Sequence, residues 1–148
     1  MYKHILVPTD GTALSQKAVK TAAQLARTLK ARVTAFYVMP PYLPPMEAEA
    51  VAYYPAYSAR GYEQHMRKVA DHALAKAKRL VTAQGVKFEG ASAFHGSPWE
   101  SIVKTAGAKK CDLIVMASHG RRGLVGVLLG SETQKVLTHS KTPVLVCR

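Results

Sequence analysis

Two rhythms of apolar residues alternate along this chain. The first is a set of short, largely β-branched runs: HILVP (4–8), RVTAFYVM (32–39), KFEGASAF (87–94), DLIVMA (112–117) and PVLVC (143–147). Runs of this length without strict alternation suit strands buried on both faces, as in a parallel sheet. The second has a helical period. Leu14, Ala18, Ala22, Leu25 and Leu29 recur at steps of three and four, as do Met66, Val69, Ala73, Ala77, Leu80 and Val81, with Gly85 placed to close that helix. SPWE (97–100) predicts a third start, with Ser97 as N-cap, Pro98 at the first helical position and Glu100 completing a capping box ahead of Ile102, Val103 and Ala106.

Strands alternating with helices predict an α/β fold: an open parallel sheet of five strands with helices on both faces, because right-handed crossovers place them there. Ligands of such sheets bind beyond the carboxyl ends of the strands, where strand order reverses. Those ends are PTDGT (8–12), VMPP (38–41), FHGS (94–97) and ASHG (117–120). The 148 residues fit one domain, 1–148, able to bury roughly two-thirds of its unfolded surface. Residues 40–60, with five prolines and four tyrosines, read as a long loop, either a variable connection or a lid.

Charge narrows the partners. With 21 Lys and Arg against 9 Asp and Glu the formal net charge is +12, which favours anionic ligands without choosing among them. The basic residues are spread along helical faces (Lys17, Lys20, Arg27, Lys30, Arg67, Lys68, Lys76, Lys78, Arg79) with no interleaved aromatics, so they read as solvated faces and nucleic acid is not the expected partner. The apolar run at 5–8 is too short for a leader or a membrane span, and a cytoplasmic protein with no membrane partner is expected. Cys111 and Cys147, 36 residues apart, form no CxxC pair and are expected as reduced thiols.

The chemistry concentrates in ASHGRRGLVGVLLGSETQKVL (117–137), which sets glycines and two arginines between a strand and a helix start. Gly120 and Gly130 would let backbone amides approach a phosphate, with the helix N-terminus near Ser131 aimed at the same anion and Ser131 adding a hydroxyl. SETQ (131–134) is equally a capping box in which Ser131 bonds its own helix and needs no ligand. Arg121 and Arg122 are within reach of such an anion. His119 lies beside it, but no nucleophile or orienting partner completes a catalytic set, and His95 and His119 lack metal spacing. Asp112 reads as a turn cap. No GK[ST] follows the glycines, which argues against an efficient ATPase and leaves at most slow hydrolysis.

In ILVPTDGT, HGSPWESIV, DLIVMASHGRRG and LLGSETQKVLTHSKTPVLVC the chain resembles the universal stress protein family over nearly its whole length. The resemblance implies a Rossmann-like sheet in the order 3-2-1-4-5. The family's nucleotide-binding branch carries Gly, two residues, Gly, nine residues, Gly, then Ser or Thr; here Gly120, Gly130 and Ser131 match and Ala117 replaces the first glycine. Position by position, it implies Asp10 near the nucleoside, Val38 at adenine, Ala117 at the ribose, Gly120, Gly130 and Ser131 at the phosphates, and Pro8 and Thr9 at the floor. Glu132 stands where the family often has a small or apolar residue, and would repel a triphosphate unless a divalent ion such as Mg2+ intervenes. The function implied is binding of ATP or a related adenine nucleotide as a regulatory ligand in stress response, by a homodimer joined through the last strand. The alternative is a dimeric scaffold whose glycine loop is empty.

Overall fold

The computed structural model describes residues 1–44, 58–119 and 129–148. In chain order the elements are β1 (His4–Pro8), α1 (Ala13–Leu29), β2 (Arg32–Met39), α2 (Ala59–Thr82), β3 (Phe88–Phe94), α3 (Pro98–Ala108), β4 (Leu113–Ala117), α4 (Ser131–His139) and β5 (Val144–Cys147). The five strands form one parallel sheet in the order β3-β2-β1-β4-β5, the order the resemblance implied.

Side chains of the central strands alternate between two cores, as the pleat requires. Ile5 and Val7 of β1 pack with Val33, Ala35, Leu113 and Val115 under α1 and α2, while Leu6, Phe36, Ile114 and Met116 face Ile102 and Ala106 of α3 and Val136 of α4. The buried stripe of α1 is Ala18, Val19, Ala22, Ala23 and Ala26. Small side chains let the helix lie close to the sheet. Ile5, Leu6 and Ile114 are wholly buried, and each contributes about 1.5–3 kcal/mol of transfer free energy.

Helix ends follow local chemistry, with two departures from the sequence expectation. Thr12 caps α1 by accepting from the Ser15 N–H, and Ser58 caps α2 by accepting from the Gly61 N–H. Gly85 lies beyond the end of α2 with φ +71°, and its N–H donates to the Thr82 carbonyl at 2.9 Å, so glycine's left-handed freedom turns the chain toward β3. Ser97 does stand at the N-cap of α3, with Pro98 behind it, but its side chain makes no capping bond and the expected box with Glu100 is absent. The Trp99 N–H that a box leaves to solvent is instead taken by Glu132 Oε2 of α4 at 2.8 Å. The rings of Trp99 and His139 lie 4.4 Å apart beside this link.

At the amino end of the sheet the polar groups are paired. Asp112 is not a turn cap: its two carboxylate oxygens accept from the Lys3 N–H at 2.7 Å and the His4 N–H at 3.0 Å, joining the starts of β4 and β1. A chain of bonds then runs across β1, β2 and β3. Arg32 can only donate, so His4 Nδ1 accepts from it at 3.1 Å; Nε2–H then donates to Thr34 Oγ1 at 2.7 Å, and the Thr34 hydroxyl donates to Glu89. Lys109 closes the chain as an ion pair with Glu89. Burial, and next the charge of Arg32, hold the His4 pKa below its usual value. The Lys109 hydrogen bond holds that of Glu89 down. Nearby, burial pushes the Cys111 thiol up to about 11, and Cys111 and Cys147 are both free. The raised pKa keeps Cys111 protonated and unreactive near neutral pH.

The long 40–60 connection lies largely outside the described residues, since 45–57 are not among them. What is described of it is anchored: the Tyr62 hydroxyl donates to the Pro40 carbonyl at 2.8 Å, and the Tyr42 and Tyr62 rings are 5.6 Å apart. No helix among the described residues is long and apolar enough to cross a membrane.

Candidate functional site

Strand β1 lies between β2 and β4, so the chain leaves it in one direction and returns on its other side. The crevice of such a sheet opens beyond the carboxyl ends of these strands. Pro8, Thr9 and Asp10 end β1, Val38 is next to last in β2, Ala117 ends β4, and Gly130, Ser131 and Glu132 begin α4. All eight therefore stand at the same end of the sheet. The ninth residue, Gly120, and Arg121 and Arg122 with it, lie outside the described residues.

The turn after β1 is held by its own side chains. Asp10 Oδ1 accepts from the Thr12 N–H at 3.0 Å and the Thr12 hydroxyl at 2.6 Å, Gly11 takes φ +80°, and the Thr9 and Ser15 hydroxyls are 3.1 Å apart. Asp10 thus fixes the entry to α1 at the crevice's edge. The half-buried Val38 packs on the α3 and α4 side, against the cluster that contains Leu6 and Phe36.

The start of α4 is docked onto the end of β4. The Gly130 N–H donates to the Ser118 carbonyl at 2.7 Å, and the buried Thr133 hydroxyl is within bonding distance of the Ala117 and Ser118 carbonyls, at 3.0 and 3.2 Å. A Cβ on Gly130 would stand 3.2 Å from the Ser118 carbonyl oxygen and 3.4 Å from His119 Cα. Glycine is needed there for the close approach of two backbones. Thr133 was not singled out from the sequence, although a β-branched polar residue three before the buried Val136 shares its helix face.

The capping box expected as the alternative for SETQ does not form. Gly130 is the N-cap of α4, the helix has no side-chain cap, and Ser131 is its first residue. A residue already in helical conformation cannot fold its hydroxyl back as a cap. Ser131 is exposed and its hydroxyl makes no hydrogen bond among the described residues. Glu132 bonds the Trp99 N–H and pairs with Lys135 at 3.4 Å. Its charge is partly answered inside the protein. His119 Nδ1 is 3.1 Å from Ser118 Oγ, while its Nε2 is buried without a hydrogen-bond partner, and Cδ2, the ring carbon bonded to Nε2, lies 3.8 Å from where a Gly130 Cβ would stand. His95 is occupied locally, its Nδ1 accepting from the Ser97 N–H at 2.9 Å. Among the described residues no group of three or more His, Cys, Asp or Glu is arranged to hold a metal.

A helix start without a side-chain cap, docked by Gly130 onto β4 at the switch point of a parallel sheet, belongs to a class of α/β proteins that carry their sites beyond the carboxyl ends of the strands. The universal stress protein family model matches residues 1–148, and the chain belongs to that family. It is 34% identical to universal stress protein MJ0531 of Methanocaldococcus jannaschii over all of this chain and 83% of that one. It is 30% identical to universal stress protein YxiE of Bacillus subtilis over the full length of both. Among solved structures it resembles protein MJ0577 of Methanocaldococcus jannaschii, with TM-score 0.79 and 29% identity over 99% of this chain and 95% of that one. It also resembles a universal stress protein in complex with cAMP, with TM-score 0.70 and 26% identity over 99% and 97% of the two chains.

Proposed function

We propose that this protein binds an adenine nucleotide, ATP or a close relative, as a regulatory ligand in stress response. The observation that carries the reading is the start of α4: an N-terminus without a side-chain cap, a Ser131 hydroxyl with no partner among the described residues, and a Gly130 approach that docks this turn against the end of β4. Free N–H groups and the positive dipole end favour a phosphate there. The buried, unpartnered Nε2 of His119 beside Gly130 adds a polar group without a protein partner. The cAMP complex of a relative supports the ligand class. In this reading the Ser131 hydroxyl and the first-turn amides of α4 after Gly130 hold phosphate, Val38 and Pro8 border the base, Thr9 and Asp10 shape the nucleoside side, and Ala117 lies at the ribose, while the Gly130 amide stays bonded to Ser118. Glu132, bonded to Trp99 and Lys135, contributes little repulsion, and any Mg2+ is held chiefly by the phosphates. Mass spectrometry of small molecules released when the purified protein is denatured tests this: an adenine nucleotide is expected. Its absence, with no calorimetric binding at millimolar ATP, would leave a scaffold with an empty glycine turn.

The protein acts as a homodimer through β5. That strand is at the sheet edge and its Leu145 is 40% exposed, an apolar edge that needs a cover. Sedimentation should give a dimer for the wild type and a monomer for Val146→Lys; a monomeric wild type at micromolar concentration defeats the assembly.

A further inference from the structure

A groove of about 500 Å³ lies between α2 and the turn that enters α1, and Ala117, Gly130 and Ser131 are not among its lining residues. One wall is a stripe of α2: His65, Lys68, His72 and Lys76, spaced three, four and four residues apart and so on one helix face. Val69 and Ala73 form its floor, and Gly11 stands on the other side. None of the four nitrogen-bearing side chains has a hydrogen bond or ion pair among the described residues. Glu63 and Asp71, the acids of α2, are not among the lining residues. Asp10, next to Gly11, has a carboxylate oxygen bonded to Thr12.

Cations in a recess, with no acid among the described residues of its lining, hold an anion better than the same charges on a convex face, because low-dielectric walls focus their field. The eight-residue step from Lys68 to Lys76 spans about 12 Å along the helix, room for several charges in a row. Lysine and imidazole act as point donors that suit phosphate oxygens from several directions, and among the described residues the lining holds no arginine fork of the kind that pairs with a carboxylate. Nor do the described residues of the lining include an aromatic ring for a base to stack on, which disfavours a nucleic acid strand. We infer that the groove formed by His65, Lys68, His72 and Lys76 against Gly11 is a second anion site, for a linear small molecule carrying several phosphate groups. This does not rest on nucleotide binding at the glycine turn.

Calorimetric titration with sodium tripolyphosphate at low salt tests it. Lys68→Glu/Lys76→Glu should lose at least about tenfold in affinity, since two charge-assisted contacts become repulsive. Lys68→Gln/Lys76→Gln, with the same helix and no new charge, should also lose affinity, so a misfolded reversal variant does not decide the matter. Lys104→Glu/Lys141→Glu, an equal change of net charge at exposed positions on α3 and before β5, should bind like the wild type. Equal loss in the Lys104/Lys141 variant would assign binding to net charge and overturns the proposal. So does unchanged binding in both groove variants, absence of wild-type binding at millimolar tripolyphosphate, or a single-stranded oligonucleotide that binds more tightly through the same lysines.

Discussion

The two ends of this sheet treat their polar groups in opposite ways. At the amino end, Arg32, His4, Thr34, Glu89 and Lys109 form an unbroken chain, and Asp112 takes the amides of Lys3 and His4. At the carboxyl end, Ser131 has no partner among the described residues, His119 Nε2 is buried without one, and α4 starts without a side-chain cap. Buried polar groups are ordinarily satisfied, because leaving one unmet costs about 1–3 kcal/mol. Among the described residues the fold therefore pairs the polar groups of the amino end and leaves these at the carboxyl end without partners, the end at which we propose that a phosphate binds.

The comparison breaks most sharply at Asp112. Asp112→Ala leaves the part-buried His4 donor unmet and the exposed Lys3 donor to water, and should lower stability by about 1–3 kcal/mol in urea denaturation while nucleotide affinity of the folded protein stays unchanged. Gly130→Val acts at the other end. Its Cβ would press on the Ser118 carbonyl and shift the start of α4, which should weaken nucleotide binding by about 1–3 kcal/mol, or roughly 5- to 150-fold. Ser131→Ala is milder: about 1 kcal/mol of affinity in calorimetry, with the melting temperature unmoved because the hydroxyl bonds nothing among the described residues. An Ser131→Ala variant that loses stability but not affinity would reverse the assignment of the two ends.

The smallest effect is a slope. The folded protein disfavours His4 protonation, so where the unfolded chain takes up that proton and the native state does not, unfolding gains. Stability from His4 is complete above the usual histidine pKa and is lost as pH falls through that value toward the lowered one in the fold. Denaturation midpoints measured downward from pH 7.5 should fall faster in the wild type than in His4→Gln. Parallel profiles would mean the amino-end chain of bonds does not select the neutral ring.

Much of this was legible in the sequence because it is local. The strand runs at 4–8 and 32–39 match β1 and β2 to the residue, since five to eight apolar positions between turn residues leave little freedom. Gly130 stood out for the same reason, though its observed contact is a neighbouring backbone. The failures share a cause. Ser97 and Glu100 spell a capping box, yet the carboxylate that serves α3 comes from Glu132, 33 positions after the Trp99 amide it takes. Asp112 looked like a turn residue because nothing in its neighbourhood names Lys3 and His4 as partners. A local pattern identifies a group that wants a partner; only the packed sheet says which partner arrives first.

The place of β1 in the sheet has a consequence in time. It is the central strand, and one of its two neighbours is complete when Met39 has been made. The other ends at Ala117, and the Asp112 clamp joins residues 109 positions apart. During synthesis, at about 5–20 residues per second, the β3-β2-β1 half can assemble with α1 and α2 while one edge of β1 stays open for seconds. Closure over so long a separation costs more entropy than the local pairings, so the arrival of β4 beside β1 is expected to come after the β1-β2 pairing. The crevice at the switch point exists only after that step, so no ligand of that crevice can act as a template for the first half of the sheet.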